Sequence, residues 1–219
     1  MNDTLLWIGV GTALIAGLWS GYTVFYEGNL DRPDYEVTLR EGVYELRTYE
    51  PFVIASTPMR SKDRSGMNGG FRSLAGYIFG GNKPQEKLAM TVPVMTSPEG
   101  EKLAMTAPVM TQTSDGTMAF VMPRGRTLDD LPQPNSQNVN LSRVDWGLAA
   151  AVQYNGYATP ERVERYRKAL LNWVAKKGYE ARAEATSAQY NSPSAMPLLR
   201  RNEIIVRVRP LVNAAKATE

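Results

Sequence analysis

The chain has 219 residues, 43 % of them hydrophobic, which is room for one domain of ordinary size with a sizeable core and excludes global disorder. A formal charge of +3 permits an anionic ligand or a lipid surface but gives no basic footprint for nucleic acid, and no nucleic-acid partner is expected. There is no cysteine and no histidine, which excludes disulfides, thiolate nucleophiles, Ser-His-Asp catalysis and most transition-metal sites.

Residues 5–25 (LLWIGVGTALIAGLWSGYTVF) carry no charged side chain. As a helix they would extend roughly 31 Å, enough to cross a hydrocarbon core of about 30 Å. Trp7, Trp19, Tyr22 and Tyr26 fall towards the two ends, where amphipathic rings favour the headgroup region. A cleaved signal peptide is the rival reading, but it requires a basic start, a shorter apolar run and an A-x-A-like site. The expectation is therefore a single-pass transmembrane anchor over residues 1–26. Arg32 and Arg40 follow the span and, counted literally, favour a cytoplasmic domain. Long following domains translocate largely regardless of charge, so the expected location is extracytoplasmic (periplasmic).

Residues 27–34 (EGNLDRPD) form a polar linker. Strand patterns follow at 35–40, 43–49 and 52–59, with Val37, Leu39, Val43 and Leu46 as inward candidates. A helix is predicted near 66–79 from the stripe Met67, Phe71, Leu74, Ala75 and Ile78, and Gly80-Gly81 stop it. Residues 86–96 (EKLAMTVPVMT) recur at 101–111 (EKLAMTAPVMT), one substitution apart. Two copies do not make a solenoid, so a local duplication giving two strands or an enlarged hairpin is expected, with Pro93 and Pro108 at edges or bulges. Further strands are predicted at 117–122, 139–144, 148–154, 188–191 and 203–208, with a Pro-rich polar loop at 123–138. A second helix is punctuated by Thr159 as N-cap, Pro160 in the first turn and Gly178 past its end, with the stripe Val163, Tyr166, Leu170, Trp173 and Val174. Residues 210–219 read as a loose tail. The order of elements implies an α+β domain over 35–209: an antiparallel sheet of two similar halves with two helices outside.

At this point the residues resemble a known family, the SOUL or haem-binding proteins. The resemblance is carried by residues 44–56 (YELRTYEPFVIAS), 71–82 (FRSLAGYIFGGN), 86–94 (EKLAMTVPV), 120–123 (FVMP), 190–193 (YNSP) and 200–203 (RRNE), in the family's order. It implies a distorted eight-stranded β-barrel flanked by two helices. It also implies non-covalent binding of haem or a related porphyrin on an exposed apolar surface, associated with the first helix and adjoining loops. Carried onto this chain, that surface would comprise Met67, Phe71, Leu74, Ala75 and Ile78. Arg64 and Arg72 come first as partners for the propionates, with Lys83 after the helix. With no histidine or cysteine available, an axial ligand would have to be Met, Tyr, Lys or water.

Blander readings accompany each feature. An amphipathic stripe is more often simple core, and Met90, Met95, Met105, Met110, Met118 and Met122 can be gap-fillers as readily as a Cu(I) site. Tyr77 and Tyr190 are iron-ligand candidates that packing or hydrogen bonding would equally explain. Arg200-Arg201 beside Glu203 reads as a propionate clamp or a turn-anchoring ion pair. The basic face from Arg162 to Lys177 reads as solvated or lipid-facing. Three functions remain: a membrane-tethered tetrapyrrole binder that buffers, carries or hands over its ligand; an effector- or partner-binding module without haem; and a tetrapyrrole-modifying enzyme, for which no acid/base constellation appears.

Overall fold

The alternating segments pair into one curled sheet of ten strands, all neighbours antiparallel. The structure is a computed structural model describing residues 19–21, 32–61, 63–83, 94–97, 116–191 and 195–211. In chain order the elements are β1 (Tyr35–Glu41), β2 (Tyr44–Tyr49), β3 (Phe52–Pro58), α1 (Arg64–Ile78), β4 (Asn82–Lys83), β5 (Val94–Ser97), β6 (Thr117–Val121), β7 (Gln133–Pro134), β8 (Asn140–Val144), β9 (Gly147–Asn155), α2 (Pro160–Lys176), β10 (Tyr179–Ala181), β11 (Thr186–Gln189) and β12 (Arg201–Pro210), with a 3-10 turn at Pro197–Leu199. The sheet order is β1-β2-β9-β12-β11-β5-β6-β3-β8, with β10 also on β12, and β4 pairs separately with β7.

The two expected halves are visible in that order. Strands β2-β9-β12-β11 run to the centre from one edge, and β8-β3-β6-β5 run to it from the other. In chain order each half runs two strands, a helix and two more strands, but the first strands are exchanged. β2 leaves its chain neighbour β3 to pair with β9, and β8 pairs with β3. The expected distorted barrel is found as a curled half-barrel: among the described residues β1 and β8 are the edges of the sheet and do not pair with each other.

Both helices begin at side-chain caps. Asp63 accepts from Gly66 N at 2.8 Å, and Thr159 accepts from Arg162 N at 3.4 Å ahead of Pro160. Strand alternation then sends one set of side chains to each face. On β12, Ile204, Val206 and Val208 meet Leu170, Trp173 and Val174 of α2. On β3, Val53 and Ala55 meet Leu74, Tyr77 and Ile78 of α1. The opposite faces, with Ile54, Val144, Ala149, Ala151 and Ile205, line the inside of the curl.

Of the four inward candidates near the N-terminal edge, only Leu46 is buried. Leu39 is exposed because β1 is an edge strand whose register shifts between Val37 and Leu39, and Val43 because it lies in the turn between β1 and β2. The first duplicated copy contributes β5, an interior strand between β11 and β6. The second copy lies outside the described residues, as does the expected membrane span apart from residues 19–21, which are helical. Among the described residues no helix is long and apolar enough to cross a membrane.

Inside the curl an ion pair crosses the sheet. β2 and β12 lie on either side of β9, about 9–10 Å apart, so only long side chains passing over small ones can meet. Ala149 and Ala151 provide that gap. Arg47 on β2 donates to both carboxylate oxygens of Glu203 on β12, at 2.7 and 2.9 Å. Arg47 also donates to Tyr49 Oη at 3.0 Å, Tyr190 Oη donates to Glu203 at 2.6 Å, and Arg201 donates at 2.6 Å. Burial opposes the charge on Glu203, but Arg47, Arg201 and Tyr190 together outweigh it and hold the carboxyl at about 2, below its ordinary 4.5.

Glu203→Gln should cost about 3–5 kcal/mol in denaturant unfolding, because it leaves Arg47 buried without its counter-charge. A double replacement, Arg47→Met with Glu203→Leu, should recover much of that loss. The folded carboxyl titrates below the unfolded one, so its contribution is complete above about pH 4.5 and fades as pH falls towards 2. Thermal melts across that window should show an acid-side loss that Glu203→Gln lacks.

Candidate functional site

α1 presents two apolar lines, and only one faces the sheet. Gly66, Gly70, Leu74, Tyr77 and Ile78 are buried. Leu74 and Ile78 have no accessible surface and pack on Val53, Ala55, Met118 and Phe120. They are core residues, so the expectation that they cover a ligand is corrected here. The helix must bury its most apolar stripe to dock on β3 and β6. Met67 is half-buried against the same cluster.

The solvent side carries the remaining residues. Phe71 (36 % exposed), Ala75 and Phe79 (61 % exposed) follow one another at intervals of four, so they share a line along the helix and its C-cap. Phe71 rests edge-on against Phe120, with ring centroids 5.4 Å apart. Arg64 and Arg72 are exposed beside this line, and Lys83 is exposed on β4 just beyond the helix. Structure thus brings Arg64, Phe71, Arg72 and Ala75 to one face and adds Phe79, which the sequence reading placed at the helix boundary. The spacing 71/75/79 was the available signal.

Glycine usage on α1 separates the same two sides. A Cβ at Gly66 would meet Ser61 O at 2.0 Å, and one at Gly70 would meet Met59 Cγ at 3.3 Å, so packing accounts for both. At Gly69 and Gly76 a Cβ would meet nothing within 4 Å. Each costs the helix about 1 kcal/mol relative to alanine, with no packing return. Their effect is to keep the surface around Arg72 low, which suits close approach by a flat ligand.

Other candidate donors are already engaged. Tyr77 Oη donates to Pro132 O at 2.9 Å, and Tyr190 Oη is bound to Glu203. Arg201 anchors Glu203 rather than standing free as a clamp, and Met118 and Met122 are core. On α2, Glu164 pairs with Arg167 and Lys168. A second hollow, about 640 Å³, lies between the β2–β3 turn and the loop after β6. Phe52, Val53, Val121, Met122 and Leu128 line it, with Arg32, Arg124, Arg126 and Arg143 among its charged groups. Sequence reasoning missed it because its walls come from four separate stretches of chain.

Residues 30–207 match the sequence profile of the SOUL heme-binding protein family. Heme-binding protein 2 of Mus musculus is 26 % identical over 171 residues, covering 77 % of this chain and 80 % of the mouse protein. Heme-binding protein 2 of Homo sapiens is 27 % identical over 164 residues, covering 74 % of this chain and 75 % of the human one. Among solved structures, the EcmrR C-terminal domain superposes with a TM-score of 0.54 at 14 % identity, over 81 % of this chain and 99 % of that domain. At such identity the likeness speaks for the fold alone.

Gly69→Ala and Gly76→Ala should each raise stability by about 1 kcal/mol in thermal or urea unfolding. Gly66→Ala should lower it, because the new methyl group collides with the Ser61 carbonyl.

Proposed function

Because the chain belongs to the SOUL heme-binding protein family, we propose that it binds haem or a related tetrapyrrole without a covalent bond, on the solvent side of α1. The observation that carries this placement is the pair of exposed rings, Phe71 and Phe79, aligned on a helix whose other apolar line is sealed against the sheet. The ring system would lie over Phe71, Ala75 and Phe79. Burial of about 300 Å² of apolar surface at roughly 25 cal/mol per Å² contributes on the order of 7 kcal/mol before association costs. Arg64 and Arg72, with Lys83 beyond them, supply cations for the propionates. Bound tetrapyrrole would bring iron or ring chemistry of its own. The protein's share is to hold the macrocycle, orient its carboxylates and leave one face accessible for transfer. We read the role as buffering, carriage or hand-over rather than catalysis, since the one buried carboxyl among the described residues, Glu203, is sealed and salt-bridged.

The tether belongs to the same proposal and rests on the uncharged run of residues 5–25, with the domain on the extracytoplasmic side. A second reading, an effector module without haem, is favoured by the 640 Å³ hollow, whose apolar residues stand among four arginines and the acids Asp34, Glu50 and Asp129, a lining that fits a small ligand with both apolar and polar groups.

Haem titration followed through the Soret band should saturate. Phe79→Ala and Arg72→Glu should each weaken binding about tenfold, the equivalent of 1.4 kcal/mol. Both side chains are exposed, so the melting temperature should stay unchanged. Leu74→Ala should instead destabilise the fold by about 2–5 kcal/mol. A saturable Soret response insensitive to Phe79 and Arg72 would move the ligand elsewhere, and Arg143→Gln would then test the hollow. In membranes, the full chain should resist carbonate extraction; release by carbonate would remove the tether.

A further inference from the structure

We propose that the corner of the domain formed by the turn Pro197–Leu199 and Tyr157 sits in the headgroup region of an anionic membrane. This rests on the tether reading above and adds an orientation to it.

Depth is the first argument. Ser20 donates its hydroxyl to Met196 Sδ at 3.0 Å, which joins the apolar N-terminal run to the residue preceding the turn. Ser20 lies five residues before Phe25, the last residue of the uncharged run, which is about 7.5 Å along a helix axis. A group in contact with Ser20 while residues 5–25 occupy the bilayer lies at the level of the aromatic belt set by Trp19, Tyr22 and Tyr26. That is the depth of about 5–10 Å at which interfacial side chains settle.

The side chains at the corner suit that depth. Leu198 is 77 % exposed and Tyr157 53 %, with Leu199 exposed beside Leu198, and Trp19, next to Ser20 in the chain, is exposed as well. Leu198 is not displayed by a loose turn: Asn155 Nδ2 donates to its carbonyl at 3.3 Å, which ties the turn to the end of β9. The cations are placed around it. The Arg200 guanidinium lies over the Tyr157 ring at 4.4 Å, Arg162 donates to Asn155 O, and Arg165 lies over the Tyr166 ring at 5.0 Å. Glu161, in the first turn of α2, is the opposing acid on this end. Apolar tips ringed by arginines are the chemistry of a surface that meets acyl chains and anionic headgroups together.

Because the chain has no cysteine, single labels are clean. A nitroxide would be attached to the full chain at Leu198→Cys, or at Gln137→Cys on an exposed loop, in vesicles of roughly three parts phosphatidylcholine to one of phosphatidylglycerol. Collision with oxygen and with a nickel chelate reports depth. The label at 198 should be accessible to oxygen and shielded from nickel, and the label at 137 the reverse. Arg162→Glu with Arg200→Glu, or removal of phosphatidylglycerol, should shift the label at 198 towards water. If a carbonate-resistant chain shows the two positions equally aqueous, the tether stands and this orientation is overturned. If carbonate releases the chain, vesicle flotation decides. Flotation that depends on phosphatidylglycerol, with position 198 shielded, supports the corner as a lipid contact by itself. No flotation overturns it.

Discussion

The half-barrel depends on one charge pair that spans three strands. Arg47 and Glu203 are both sealed from solvent, and each would be costly to bury alone. Their meeting requires that β2 and β12 flank β9, and that β9 present alanines beneath them. β2 is also the strand exchanged between the halves. The pair therefore bridges one of the pairings that the chain's local order does not favour, since β2 and β3 are neighbours in sequence but not in the sheet. The phenols of Tyr49 and Tyr190 complete the coordination, so the interior of the curl is filled by side chains that satisfy one another.

A filled interior has a functional consequence. The proposed tetrapyrrole site lies outside the curl, where the helices are. α2 is anchored by Leu170, Trp173 and Val174 and shows solvent a charged face. α1 differs. It carries four glycines in fifteen residues, two of them without any packing reason, and it exposes Phe71 and Phe79. A helix weakened in this way and left with rings in solvent is poorly explained by stability, whereas a flat apolar ligand accounts for both features.

The proposed tetrapyrrole surface and the proposed lipid-facing corner fall on different halves of the molecule. α1 packs on the half built from β8, β3, β6 and β5, and the Pro197–Leu199 turn joins β11 to β12 of the other half. On these two proposals the chain would be held through one half, while the outer face of α1 on the other half stays exposed. Each half needs only one face of its helix for the core, which leaves the other face of each exposed.

The sequence by itself determined most of the elements, because their signals are local. Period-two alternation marked the strands, and the Thr159-Pro160 start and Gly178 stop bounded α2 within a residue. It also determined the family, through short motifs in a fixed order, and the exclusion of histidine and cysteine chemistry. It could show that α1 has an apolar stripe, but not that Leu74 and Ile78 are its core line while Phe71, Ala75 and Phe79 remain outside. Adjacent positions on a helix differ by only 100°, and the docking rotation depends on β3 together with β6, which lies about forty residues further along the chain. Only the tertiary structure decided that β2 pairs with β9, that Arg47 reaches Glu203 across 156 residues of chain, and that the sheet curls into a half-barrel. Long-range pairing is chosen by the energy of the assembled charges and side chains, and no local pattern encodes it.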